Sequence, residues 1–206
     1  MKTTLDESMT EIRAALRAFP WADRAAYGNW VAQTYHYVKH STRLLAAAAA
    51  RFPQDDVGNA LHHRFAKHMS EEKKHELLCV HDLTALDLPL GAFPELPVTR
   101  MFYESQYFKV EHRDPVALFG YILALEVTSA QEGGWVHDEI VATHGPKTAS
   151  FVKLHAQEDV GHVEKALRAL DDVTAAQRAL VSENLRQTAY GYRAILEEVA
   201  RVSRSG

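Results

Sequence analysis

The chain has 206 residues, 47% hydrophobic and 24% charged, enough to bury one sizeable core, and it reads as a single domain over 1–206. A formal charge of -4, with acids and bases interspersed, offers no basic field for phosphates and excludes nucleic acid as the expected partner. The lone Cys79 excludes an internal disulfide framework. The first residues carry acids and no apolar leader, and no run of about 18 apolar residues exists, so a cytoplasmic location away from the membrane is expected.

Period and punctuation predict helices throughout. The first covers Asp6 to Phe19, alternating apolar and charged residues at helical spacing until Pro20 closes it. A second runs from about Gly28 to Arg51, carrying Trp30, Tyr37, Val38, Leu44 and Leu45 before an alanine run, and ends at Phe52-Pro53. A third, Asp56 to Leu86, is long and charged. Prolines and Gly91 make Asp87 to Thr99 a structured connection, followed by a short helix from Met101 to Val110. Asp114-Pro115 is a start signal, an N-cap acid before a proline at the first helical position. The helix it opens runs through VALFGYILALEVTSAQ towards Val141, with a weak point at Gly133-Gly134. Gly145-Pro146 separates it from a helix over Thr148 to Leu170, and Asp171 to Thr174 turns into a last one reaching Val202. Without hairpin signals or repeats, the expected fold class is all-α, a seven-helix bundle.

Within that bundle Glu126 stands out, because the preceding Val116 to Leu125 holds only apolar residues and Gly120. A carboxylate there is far from water, and burying it unpaired costs several kcal/mol, so it must be protonated, paired with a cation or bound to metal. Two further helices favour metal. Glu72-x-x-His75 in HMSEEKKHELL places a carboxylate and an imidazole on one helical face, and His155, Asp159 and His162 project from one stripe of KLHAQEDVGHVEK. Carboxylates bridge and neutralise divalent ions while imidazoles add nitrogen ligands that suit iron or manganese, and bundle cores use the carboxylate-x-x-His device for this purpose. Taken singly, these motifs also read as solvated helix faces, and Glu126 as an acid paired with a base. Their joint occurrence on three helices points to metal. His68, four before Glu72 on the same stripe, ranks as an additional ligand above the alternative Glu71.

The remaining signals are weaker. Among the 12 histidines, His36 and His40 either line a pocket above the metals or are ordinary helix residues. His62, His63, His81, His112, His137 and His144 read as surface or interhelical polar groups. Cys79 reads as a buried, inert thiol. Tyr35, Tyr37, Tyr103, Tyr107, Phe108 and Tyr121 are core aromatics, some of which can wall a cavity.

Glu72-x-x-His75, Glu126 on its apolar helix and His155-x3-Asp159-x-x-His162, in that order, resemble the haem-oxygenase-like dimetal oxidases and oxygenases, also described as iron-containing redox enzymes. The likeness extends to the lead-in QTYHYVKHS and the tail DLTALDLP, and spans about Gln33 to Glu164. It implies a seven-helix haem-oxygenase-like fold without haem, holding two irons or manganese and iron. Dioxygen would be the co-substrate, with a small amino-acid-like, amine or fatty-acid substrate, an external electron donor and a homodimer as plausible assembly. Carried over, His75, Glu126, His155, Asp159 and His162 are metal ligands, Glu72 matches the carboxylate three before the histidine, and oxidation takes place near Glu126. The chain departs from the pattern at His68, where some members have a carboxylate. A metal-binding or interaction protein without turnover, and a thiamin-salvage hydrolase of the TenA type, are the competing readings on this fold.

Overall fold

Described over residues 1–204 in a computed structural model, the chain is built from helices, and no strand occurs among those residues. The α-helices are α1 Lys2–Ala18, α2 Arg24–Val38, α3 Ser41–Ala49, α4 Asp56–Glu71, α5 Glu76–Ala85, α6 Pro97–His112, α7 Leu118–His144, α8 Ser150–Ala169 and α9 Ala175–Ser203. They form the seven rods expected, because the second and third rods are each broken once, into α2 and α3 and into α4 and α5.

Caps explain where the helices begin. The Asp23 carboxylate accepts from the Ala25 and Ala26 N–H groups, so α2 starts at Arg24, ahead of the expected Gly28. Asp55 caps α4 through Gly58, and Thr174 with Gln177 forms a capping box for α9. Pro97 takes the first position of α6, which extends that helix well beyond the expected Met101 to Val110. Helix α2 stops where the Lys39 and His40 N–H groups bond back to Tyr35 and Tyr37, and α3 resumes at Ser41.

Helix α7 lies in the middle, packed against α1, α8 and α9. Its glycines let neighbours come close. A Cβ at Gly120 would sit 2.4 Å from the Val181 carbonyl oxygen, and one at Gly133 would sit 2.9 Å from the Ala156 Cβ. The helix runs unbroken through Gly133-Gly134 to His144, so the expected weak point is instead a contact with α8. Losing about 1 kcal/mol of helix propensity at a glycine is offset by that packing. No helix among the described residues is long and apolar enough to cross a membrane.

Candidate metal centre

Four helices deliver the predicted residues to one interior point. The end of α4 carries His68 and Glu72, the start of α5 carries His75, α7 carries Glu126, and α8 carries His155, Asp159 and His162. They resolve into two groups, His68 with Glu126 and His162, and Glu72 with His75 and His155. Within each group, one ligand atom per residue lies within 4.8 Å of the others. Glu126 Oε1 is 3.1 Å from His68 Nε2 and 3.5 Å from His162 Nδ1. In the second group Glu72 Oε2 is 3.3 Å from His75 Nδ1, and the His75 and His155 ring centroids are 5.1 Å apart.

Two carboxylates tie the groups together. Asp159 places Oδ1 3.4 Å from His162 Nδ1 and Oδ2 3.3 Å from His155 Nδ1. The other Glu72 oxygen, Oε1, is 3.5 Å from His68 Nε2. Glu71 lies at the outer edge, with Oε2 3.5 Å from His162 Nε2 and Oε1 3.8 Å from the Lys67 ammonium.

The continuous helical face expected for Glu72 and His75 is a correction. Glu72 closes α4 and His75 opens α5, and between them Lys74 adopts φ 73°, a left-handed conformation that costs a non-glycine residue roughly 1–2 kcal/mol. That turn brings His75 to His155 while Glu72 stays between His68 and His75.

Burial raises the proton affinity of Glu126, and the His68 imidazole 3.1 Å away offsets it only in part. Burial also opposes a charge on His68, but the Glu126 and Glu72 carboxylates beside it outweigh this and lift it to about 9. For Glu72 and Asp159 desolvation is likewise outweighed, by His68 and His75 in one case and by His155 and His162 in the other, so both are held below the usual carboxylate range. His155 is raised because Asp159 overcomes burial, and His162 is raised by Asp159 with burial opposing.

The cluster is nevertheless poorly satisfied. Both Glu126 oxygens, and one ring nitrogen each of His68, His75, His155 and His162, are buried without a hydrogen-bond partner among the described residues. Buried polar atoms without partners are expensive, and the Glu126 oxygens with His162 Nδ1 3.5 Å from Oε1 converge in a way that fits a cation. Each group is a two-histidine, one-carboxylate set, the donor set of non-haem iron sites with open positions. With the imidazoles neutral, Glu71, Glu72, Glu126 and Asp159 together match the charge of two divalent ions.

A cavity of about 110 Å³ opens beside these residues. His68, Glu72, Glu126, His155 and Asp159 line it at the site, and Trp30, Leu44, Tyr121, Ile122 and Tyr192 contribute to its largely apolar walls. The Tyr121 hydroxyl is buried there without a hydrogen-bond partner among the described residues. Tyr37 also lines the cavity, whereas Phe108 is 55% exposed. His36 lies on α2 and His40 in the break before α3, and neither lines the cavity. His36 lies 3.4 Å from the Phe93 carbonyl oxygen, and His40 stacks on Tyr103 and bonds Tyr107. Cys79 is fully enclosed outside the cavity lining, and burial pushes its thiol well up, so the inert reading stands.

Four contributors were not singled out from the sequence. Glu132 lines the cavity, Trp30 and Tyr192 wall it, and Asp82 braces the site from behind. Six residues past Glu126, Glu132 lies about 120° round the helix from it, so no shared stripe pointed to it. For Asp82 the partners are too distant in the chain for any local pattern to show them.

This arrangement of helices is shared with solved structures. A domain of unknown function with a haem-oxygenase-like fold from Shewanella denitrificans matches at 22% identity with a TM-score of 0.83, covering 98% of this chain and 90% of that one. A TenA homologue from Pseudomonas syringae pv. tomato matches at 12% identity with a TM-score of 0.78, over 97% of this chain and 92% of that one. A TenA homologue from Pyrococcus furiosus matches at 14% identity with a TM-score of 0.71, over 95% and 99%. The fold is haem-oxygenase-like. No curated protein matches the chain. The family model of iron-containing redox enzymes matches residues 28–195, and the chain belongs to that family.

Proposed function

We propose that the chain, working as one helical domain, is a non-haem dimetal oxidase or oxygenase that holds two irons, or manganese and iron, and uses dioxygen to oxidise a small organic substrate. The observation that carries this reading is the convergence of two two-histidine, one-carboxylate groups, spanned by Asp159 and Glu72, at the end of an apolar cavity. In this reading His68, Glu126 and His162 hold one ion and Glu72, His75 and His155 the other, with Asp159 facing both and Glu71 at the edge of the first.

Iron held by these residues would supply one-electron chemistry towards dioxygen, with electrons from an external donor. The residues do the rest. Apolar walls from Leu44 and Ile122 exclude water and orient the substrate. The unpartnered Tyr121 hydroxyl is available to hydrogen-bond it. Glu126, whose carboxyl is raised by burial, can accept a proton at Oε2, the oxygen turned from His68.

The test is optical. Anaerobic Fe(II) loading followed by oxygen should give a transient visible absorption in the wild type and none in Glu126→Ala. Iron that binds without any oxygen-dependent change would make this a metal-binding protein without turnover.

A second reading, a metal-free hydrolase of the TenA type, draws on the likeness to TenA homologues. It requires activity that survives chelation and a nucleophile on the cavity, and the position of Cys79 away from the lining counts against it.

A further inference from the structure

The two groups are not held equally. His68, Glu126 and His162 sit on α4, α7 and α8, and α7 meets α8 closely where Gly133 touches Ala156. His75 instead opens α5, a helix of ten residues cut off from α4 by the turn through Lys74. Whatever sets the distance from His75 to His155 must therefore come from the seat of α5 on its neighbours, α2 and α8.

Asp82 provides that seat. It lies on α5, two turns beyond His75, with its side chain fully buried. Its Oδ1 accepts the Ser150 N–H at 2.9 Å and its Oδ2 accepts the Phe151 N–H at 2.9 Å. These are the first residues of α8, a helix with no side-chain cap of its own. A carboxylate on α5 thus caps α8, using charge-assisted bonds at the positive end of the helix dipole. His155 follows Phe151 by one turn, and their ring centroids are 4.4 Å apart. The far end of α5 is tethered as well, since Arg24 Nε on α2 donates to the Leu86 carbonyl at 3.0 Å.

We infer that Asp82 is a positioning residue for the second group: by capping α8 from α5 it sets the spacing of His75 and His155, and hence the affinity for the ion held with Glu72. The inference rests on the dimetal reading. A purely structural cap would lower stability without distinguishing one ion from the other.

Anaerobic Co(II) titration, followed by the visible absorption of bound cobalt and paired with melting temperatures, tests it on the full chain. The wild type should bind two ions. Asp82→Asn keeps the shape and one acceptor but faces the other N–H with an amide, and should weaken only one ion, by at least about tenfold, the scale of outer-shell changes at metal sites. Asp82→Ala should weaken that ion further. Thr174→Ala, which removes the α9 cap, controls for lost stability and should leave both affinities unchanged. Arg24→Ala frees the other end of α5, should shift the same ion in the same direction, and decides the matter if the Asp82 variants do not fold. Fewer than two ions in the wild type would sink the dimetal reading itself. Two ions in the wild type, with both or neither weakened in the variants, would overturn the role of Asp82.

Discussion

Two carboxylates on α7, Glu126 and Glu132, are both buried, at 6% and 3% exposure, yet their partners differ in kind. Glu132 is consumed by guanidinium groups, 2.5 Å from Arg13 Nε and 2.9 Å from Arg17 Nη2, and Arg17 in turn stacks 3.7 Å above the Trp135 ring. Glu126 faces the imidazoles of His68 and His162, and neither of its oxygens makes a hydrogen bond among the described residues. Depth of burial therefore says little about metal. What separates a structural acid from a candidate ligand is whether its lone pairs are already used, and the pairing with a base considered for Glu126 is realised at Glu132.

The comparison breaks most readily at its larger end. Glu126→Ala should leave at most one ion and lower oxygen-dependent turnover by about 100-fold or more, measured by metal analysis and oxygen consumption. Glu132→Ala should retain both ions, and metal loss there would erase the distinction. A second test sharpens the structural side. Replacing Arg13 and Arg17 together strands a buried carboxylate and should destabilise by about 3–5 kcal/mol in denaturant unfolding. Glu132→Leu should cost far less, because both arginines are about half exposed and can turn to water.

The metal-free cluster also carries a pH signature. His68 is raised from 6.5 to about 9, so its proton's contribution to stability is complete below 6.5 and lost as pH rises through 9, on the order of 3 kcal/mol. Glu126, also raised, is disfavoured when ionised and acts in the same direction. Glu72 and Asp159, both lowered, contribute above their ordinary range and lose this in acid. Melting in the presence of a chelator should thus decline from pH 6.5 to 9, and added metal should restore it; a flat metal-free profile would contradict the coupling. The smallest effect is expected at Cys79→Ala, about 1 kcal/mol of stability from the lost packing, with metal content and turnover intact.

Much of the site was legible because its signals are local. One acid ending an apolar run exposes Glu126, and four- and three-residue spacings expose His155, Asp159 and His162. His68 was readable from the same stripe as Glu72, and the structure joins it to Glu126. The break after Glu72 was not readable, since SEEKKHE contains neither glycine nor proline, and lysine at 74 favours helix. Tertiary contacts to α8 hold Lys74's neighbours in a conformation that propensity opposes. The partners of Glu132 lie more than a hundred residues away, as Arg13 and Arg17, and Asp82 meets its helix 68 residues later at Ser150. The start of α2 at Arg24 did have a local cue, the Asp23 cap, sitting just after the Pro20 turn.

In the proposed function two ions sit side by side between α4, α5, α7 and α8. Crystals grown with iron and manganese and measured at each metal's absorption edge test it most directly. Two anomalous peaks are expected, one among His68, Glu126 and His162 and one among Glu72, His75 and His155, with Asp159 reaching both. A peak elsewhere, or none with the protein saturated in metal, would contradict it.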